Sequence, residues 1–299
     1  MNKPIRIALI LLSALLCLCL PFVLCSPVSL AEEAKSLPMD FSEGSVPDEN
    51  GWTDDGYSDE TITVAMETVE ADGVVWRIAW VTVGHASQLR TATAGKPTDR
   101  STATAKPSSM ARAKNAIVAI NGDYFADDPD KTTFEYRMGQ KIRHKTNKKK
   151  DILIIDNEGN FHTFIKSGLE PAKTELETYL AEGGTIANAF TFGPVLVKGG
   201  EKLTMDTGYG YNPNGREPRA AIGQTGPLSY VLVVAEGRSE DSKGATHQEL
   251  ADFMYDLGCI EAFNLDGGGS ASMIFHDSYY MDHYTDRAQS DIIYFASAR

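Results

Sequence analysis

Cysteine is nearly missing from this chain. Of its four cysteines, Cys17, Cys19 and Cys25 fall within the first 31 residues, which leaves Cys259 alone in the remainder. A single thiol excludes an internal disulfide and a cysteine-based zinc site, and Cys259 is expected to be a small buried residue just after a helix. The six histidines show no H-E-x-x-H or comparable spacing, so no metal and no cofactor are expected. Positive charge is also scarce: 28 Lys and Arg face 41 Asp and Glu, for a net charge of −13. Nucleic acid and anionic lipid are poor partners for such a chain, because both are bound by neutralising phosphates with basic side chains. The 299 residues are 42% hydrophobic, which excludes wholesale disorder and a multi-spanning membrane protein while leaving enough chain for a sizeable core.

What the amino terminus does have is an export pattern. Lys3 and Arg6 precede an apolar run from Ile7 to Leu24, and Ser29-Leu30-Ala31 supplies small residues where a signal peptidase cuts. Residues 1–31 are therefore expected to be a signal peptide, with an uncleaved membrane anchor through residues 7–24 as the alternative, since about 20 apolar residues span a bilayer. Either way the bulk of the protein is expected outside the cytoplasm, secreted or held at the cell surface. Residues 32–60 carry ten acids and one base, Lys35, together with Pro38 and Pro47; they are expected to be an acidic, disordered tether. Residues 61–299 are expected to be one domain.

Within that domain strand signals dominate. Ile62, Val64 and Met66 alternate with polar residues, and Val74 to Val83 places Trp76 and Trp80 on one face; Asp72-Gly73 between the two runs is a hairpin turn. Residues 91–107 are low in complexity and read as a loop. Ser108 or Ser109 is expected to cap a short helix ending near Asn115, before a buried strand from Ala116 to Ile120. Asp151–Asp156 and Asn160–Ile165 read as a hairpin about Asn157-Glu158-Gly159, and Leu228 to Val234 as a central strand. Thr246-His247-Gln248-Glu249 is a capping box for a helix that stops at Gly258. Many strands and few helices predict an α+β fold of mixed, largely antiparallel sheets with a few packed helices.

Chemistry is expected where strands end in glycine-rich polar turns. Three segments have this form: Asn121-Gly122-Asp123-Tyr124-Phe125, Phe192-Gly193-Pro194, and Asn264-Leu265-Asp266-Gly267-Gly268-Gly269-Ser270. Each follows or leads into an apolar run, so a polar tip is delivered to the rim of the core. Consecutive glycines let main-chain amides approach an anion closely. Arg219 in Pro218-Arg219-Ala220-Ala221-Ile222-Gly223, and Arg238 after Glu236-Gly237, could hold phosphate oxygens with their guanidinium forks. The cluster Lys141, Arg143, Lys145, Lys148, Lys149 and Lys150 reads as a solvated hairpin face, and Asp127-Asp128-Pro129-Asp130 as an exposed acidic loop.

Taken together, Ala119-Ile120-Asn121-Gly122-Asp123-Tyr124-Phe125, Gly193-Pro194-Val195-Leu196-Val197, Pro218-Arg219-Ala220-Ala221-Ile222-Gly223 and Asn264 to Ser270 resemble, in content and order, the motifs of phosphodiester glycosidase domains. Several spaced motifs are far more specific than any one. Two positions depart from the family pattern: Ala220 replaces a usual threonine, and Glu236 stands where aspartate commonly precedes Gly-Arg. The resemblance implies an extracytoplasmic enzyme that hydrolyses a glycosyl-1-phosphodiester in envelope or exopolysaccharide glycans.

For that reaction the expected catalytic carboxylates are Asp123 and Asp266, with Glu236 in a second rank. Asn121 and Asn264 are expected to orient sugar hydroxyls. Arg219 and the amides of Gly267, Gly268 and Gly269 are expected to hold phosphate, with Arg238 in a second rank and Gly122, Gly193 and Ser270 completing the substrate-binding turns. A serine hydrolase built on Ser270 is excluded because Gly268-Gly269-Ser270-Ala271-Ser272 lacks the second glycine of a nucleophile elbow. The competing reading is a non-catalytic domain that binds glycans or sugar phosphates from a membrane anchor.

Overall fold

The computed structural model describes residues 44–98, 102–124, 133–205, 208–210 and 212–298. The export segment 1–31 and the acidic loop Asp127–Asp130 lie outside the described residues. Among the described residues no helix is long and apolar enough to cross a membrane.

Among the described residues three sheets and three α-helices make the domain, and every strand pair is antiparallel. A nine-stranded sheet contains the long hairpin Ile62–Ala71 and Val74–Val83, the central strands Ser229–Ala235 and Arg219–Gly226, and then Glu261–Asn264 and Val195–Lys198. One five-stranded sheet carries Phe134–Arg137, Asp151–Ile155 and Asn188–Phe192. The other carries Val118–Asn121 and Asp291–Phe295 side by side.

Period-two alternation explains how three sheets share one interior, because successive side chains on a strand point to opposite faces. Tyr230, Leu232 and Val234 enter the common core, whereas Val231, Val233 and Ala235 face the helix His247–Asp256. Leu153 and Ile155 enter that same core while Ile152 and Ile154 pack under the helix Ala172–Ala181. Val118 and Ile120 do likewise, with Ala119 directed to the helix Pro107–Arg112. Runs such as Val231-Leu232-Val233-Val234 are therefore continuous in sequence because both faces are covered. Each helix closes the outer face of one sheet.

Most of the expected elements are present. Asp72-Gly73 turns the first hairpin, with Ala71 paired to Val74 and Trp76 and Trp80 on one face. Thr246 and Glu249 form the reciprocal capping box, Thr246 N donating to Glu249 Oε2 at 2.9 Å and Glu249 N to Thr246 Oγ1 at 3.1 Å. Gly258 takes φ +81° after the helix, and Cys259 is buried and free.

Three expectations are corrected. Trp52–Thr53 and Gly56–Ser58, assigned to the tether, extend the nine-stranded sheet, and Tyr57 is buried in the core. Local acidity did not reveal the aromatic side chains that dock there. Thr91 to Thr93, assigned to a loop, lie in the strand Leu89–Thr93 and pair with Asp291–Ile293. The first helix begins at Pro107 rather than at a serine cap, using a residue whose missing N–H costs nothing at that position.

Candidate active site

The polar tips converge at the junction of the three sheets, around a cavity of about 370 Å³. Asp123 arrives from the strand Val118–Asn121, Thr191 from Asn188–Phe192, Glu135 from Phe134–Arg137, Arg219 from Arg219–Gly226, and Asp266 just past Glu261–Asn264. Residues separated by more than a hundred positions thus face one space, and Asp123, Arg219 and Asp266 line it together.

Backbone interlocks bring the first and third tips together. Asn121 is fully buried; its Nδ2 donates to the carbonyls of Asp266 (2.7 Å) and Gly122 (3.0 Å), and its Oδ1 accepts from Ser272 N (3.0 Å). Asn264 is buried as well and donates from Nδ2 to Gly193 O at 2.8 Å. Neither asparagine lines the cavity. Expected to orient sugar hydroxyls, they instead bind the tips to one another. Gly122 is required by a close approach: a Cβ there would stand 2.1 Å from Asp291 Oδ2. Gly193, at φ +90°, lies against Asp151. Gly122, Gly193 and the buried Ser270 support the cavity from behind and do not line it.

A buried ionic group forms the floor. Arg137, 2% exposed, donates from Nη2 to Asp123 Oδ1 at 2.7 Å and from Nε to Asp291 Oδ2 at 3.0 Å. It also donates to the carbonyls of Tyr136 and Ala189, and its guanidinium lies 4.1 Å from the centroid of the Phe190 ring. Surrounding carboxylates hold this guanidinium firmly charged in spite of burial. Asp123 Oδ2 accepts from Thr191 N at 2.9 Å, so the carboxylate is fixed at both oxygens. Burial raises Asp291 to about 6, opposed by Arg137 and reinforced by Asp123.

Asp266 differs from Asp123 in its freedom. Burial raises its carboxyl to about 6; the Ser270 hydroxyl, Arg287 and the Gly267 amide oppose the shift, and the Asp123 charge adds to it. A carboxyl with that midpoint exchanges a proton readily near neutral pH, which suits general acid–base work. The rim is cationic. Lys150, Arg238 and Arg287 line the cavity with Gly267, Gly268 and Gly269. Arg238 pairs with Glu217, Nη2 to Oε2 at 2.7 Å, and Arg287 lies 4.9 Å from the centroid of the Tyr124 ring.

Arg219 is placed as expected but held differently. Its Nε donates to Ala245 O (3.0 Å), its Nη2 to the carbonyls of Asn212 (2.8 Å) and Gly215 (3.0 Å), and its Nη1 lies 2.9 Å from His247 Nε2. It therefore contributes a fixed positive charge more than a free fork. Burial lowers Arg219 to about 10, and burial beside Arg219 lowers His247 to about 3, so the imidazole stays neutral.

Glu236 is a correction. It does not line the cavity; Oε1 accepts from Arg77 Nε (2.6 Å) and Asp282 N (3.0 Å), and Oε2 from His283 N (3.0 Å). Fully occupied and buried, it anchors the 282–283 turn. Arg143 and Lys150 are also corrected: Arg143 is buried and Lys150 reaches the cavity, so the basic cluster is not simply a solvated face. Glu135, Arg137, Asp291 and Arg287 escaped sequence reading. The one available signal was Asp291 heading the apolar run Ile292-Ile293-Tyr294-Phe295, where an acid must find a partner.

The fold and cavity define a class of antiparallel α+β domain with a carboxylate floor, a cationic rim and a glycine-rich edge. Within that class, the phosphodiester glycosidase family model matches residues 114–296, more than half of the chain, and the chain belongs to that family. Over 181 residues it is 29% identical to the SPbeta prophage-derived uncharacterized protein YomE of Bacillus subtilis, covering 57% of this chain and 26% of that protein. Over 71 residues it is 38% identical to human N-acetylglucosamine-1-phosphodiester alpha-N-acetylglucosaminidase, covering 23% of this chain and 14% of the human protein. The chain thus spans 26% and 14% of the length of these two relatives. The fold is shared with the catalytic domain of the zebrafish N-acetylglucosamine-1-phosphodiester alpha-N-acetylglucosaminidase, auto-inhibited by its pro-peptide, at TM-score 0.60 and 17% identity over 89% of this chain and 99% of that one. A hypothetical protein from Synechocystis shares it at TM-score 0.52 and 17% identity, over 79% and 62% of the two chains.

Proposed function

We propose that this protein is an extracytoplasmic hydrolase that cleaves the bond between a sugar C1 and a phosphodiester oxygen in envelope or exopolysaccharide glycans. The observation that carries the reading is the pairing, in one cavity, of the carboxylates Asp123 and Asp266 with the cations Lys150, Arg219, Arg238 and Arg287. Breaking the C1–O bond places positive charge on the sugar ring and returns an electron pair to a phosphate monoester. The cations stabilise the departing phosphate, and Asp123, bonded to Arg137, faces the reacting centre. Asp266 takes a proton from the water that adds to C1. Family membership and the kinship with the human and zebrafish glycosidases support the substrate class, and the basic-then-apolar run ahead of Leu24 supports export.

The decisive experiment incubates the purified protein with a panel of chromogenic glycosyl phosphodiesters and follows release of the phosphate monoester. Turnover of one or more is expected. Saturable binding without release from any of them would establish instead a sugar-phosphate-binding domain.

A further inference from the structure

Among the described residues lining the cavity, Glu135 is a buried carboxyl with no hydrogen-bond donor at either oxygen. It is fully buried, it lines the space beside Asp123, and neither Oε1 nor Oε2 accepts a hydrogen bond. Its nearest cation, Arg137, is 3.4 Å away through Nη1, with the Arg137 forks already committed to Asp123 and Asp291. Asp123, Asp291 and Asp266 supply negative charge around it, while Arg137, Arg143 directly across the strand pair, and Lys150 at the rim supply positive charge. A buried ionised carboxylate with no protein donor, beside two others, is costly to maintain. A neutral carboxylic acid at the same place has one O–H to give, and Asp123 is the acceptor at hand.

We propose that Glu135 is a further functional residue of this site: a carboxylic acid that shares one proton with Asp123 and supplies that proton, through Asp123, to the departing phosphate. The role rests on the hydrolysis proposed above. In the step, the C1–O bond breaks and its electron pair goes to the phosphate oxygen. That oxygen accepts a proton from Asp123 as Asp123 receives the Glu135 proton, and Asp266 takes a proton from the attacking water. The site ends with Glu135 ionised and Asp266 protonated; exchange with solvent through the open cavity restores both. Glu135 acts through its neighbour, so it is a positioning and proton-holding residue rather than one that touches substrate. Burial and the adjoining Asp123 charge hold its carboxyl well above the usual range, with Arg137 only partly opposing them, as this role requires.

The test is Glu135→Gln, which keeps shape and neutrality but has no proton to surrender. Two measurements separate this proposal from the hydrolysis reading. The first needs no substrate: infrared difference spectra between wild type and E135Q at pH 8, where Asp266 and Asp291 are ionised, are expected to show a protonated-carboxyl stretch in wild type alone. The second is kinetic: kcat is expected to fall on the order of 100-fold in E135Q with KM changed less than about threefold, and the alkaline limb of the kcat profile is expected to vanish. A protonated-acid band common to both proteins, or full kcat in a folded E135Q, overturns the assignment. An inactive wild type that still shows the band defeats the hydrolysis reading and with it the transfer step, leaving the shared proton intact.

Discussion

Replacing Arg137 by methionine tests whether the floor of the cavity is an electrostatic unit. The substitution keeps most of the aliphatic bulk against Phe190 but removes the only cation that contacts Asp123, Asp291 and Glu135 together among the described residues. Stripping one partner from a buried ion pair costs about 3–5 kcal/mol, because the charge left behind stays desolvated. For a domain of this size each kcal/mol lowers Tm by about 2–4 °C, so a drop of about 6–20 °C is expected in thermal melts followed by circular dichroism. The loss must also depend on pH. Asp291 already sits near 6 in the folded protein, above its unfolded value. Removing the guanidinium, which opposes that shift, raises Asp291 further. The folded variant then retains protons that the unfolded chain has released, and its stability declines as pH rises through that window. The gap between wild type and R137M in urea midpoints is thus expected to widen from pH 5 to pH 8. Arg137→Lys, which keeps charge without the fork, should fall between. A loss below about 1 kcal/mol, or one that is flat with pH, would refute the reasoning.

Other perturbations separate chemistry from scaffold. Asp266→Asn should abolish hydrolysis while leaving the melting curve nearly unchanged, and in wild type kcat/KM should fall tenfold per pH unit below about 6 as the Asp266 carboxyl takes up its proton; a fully active D266N removes it from the mechanism. Gly122→Ala pushes a methyl into the Asp291 carboxylate and should cost about 2 kcal/mol of stability, read from urea midpoints, because the displaced group is pinned to Arg137. Glu236→Ala should lower Tm through the abandoned Arg77 and the loosened 282–283 turn yet keep measurable turnover; complete inactivity in a folded variant would return Glu236 to the reacting groups.

The tips of the site were readable because each joins a strong apolar run to glycine, a transition that local sequence records. That is why Asp123, Asp266 and Arg219 were found and do share a cavity. The floor was not readable. Phe134-Glu135-Tyr136-Arg137 has the alternation of a half-exposed strand, yet both of its charges are buried, since what covers them comes from strands that end near 121 and 192 and one that begins at 291. Asn121 and Asn264 illustrate the converse error. Their position at a strand end was right, but an amide that can satisfy two carbonyls is as useful for joining loops as for holding a ligand, and only the packing distinguishes the two.

The place of Asp291–Phe295 has a temporal corollary. This strand runs between Val118–Asn121 and Leu89–Thr93 and brings the carboxylate that shares Arg137. Among the described strands it is synthesised last, so a chain truncated ahead of Asp291 would present Asp123, Arg219 and Asp266 without the carboxylate that shares Arg137.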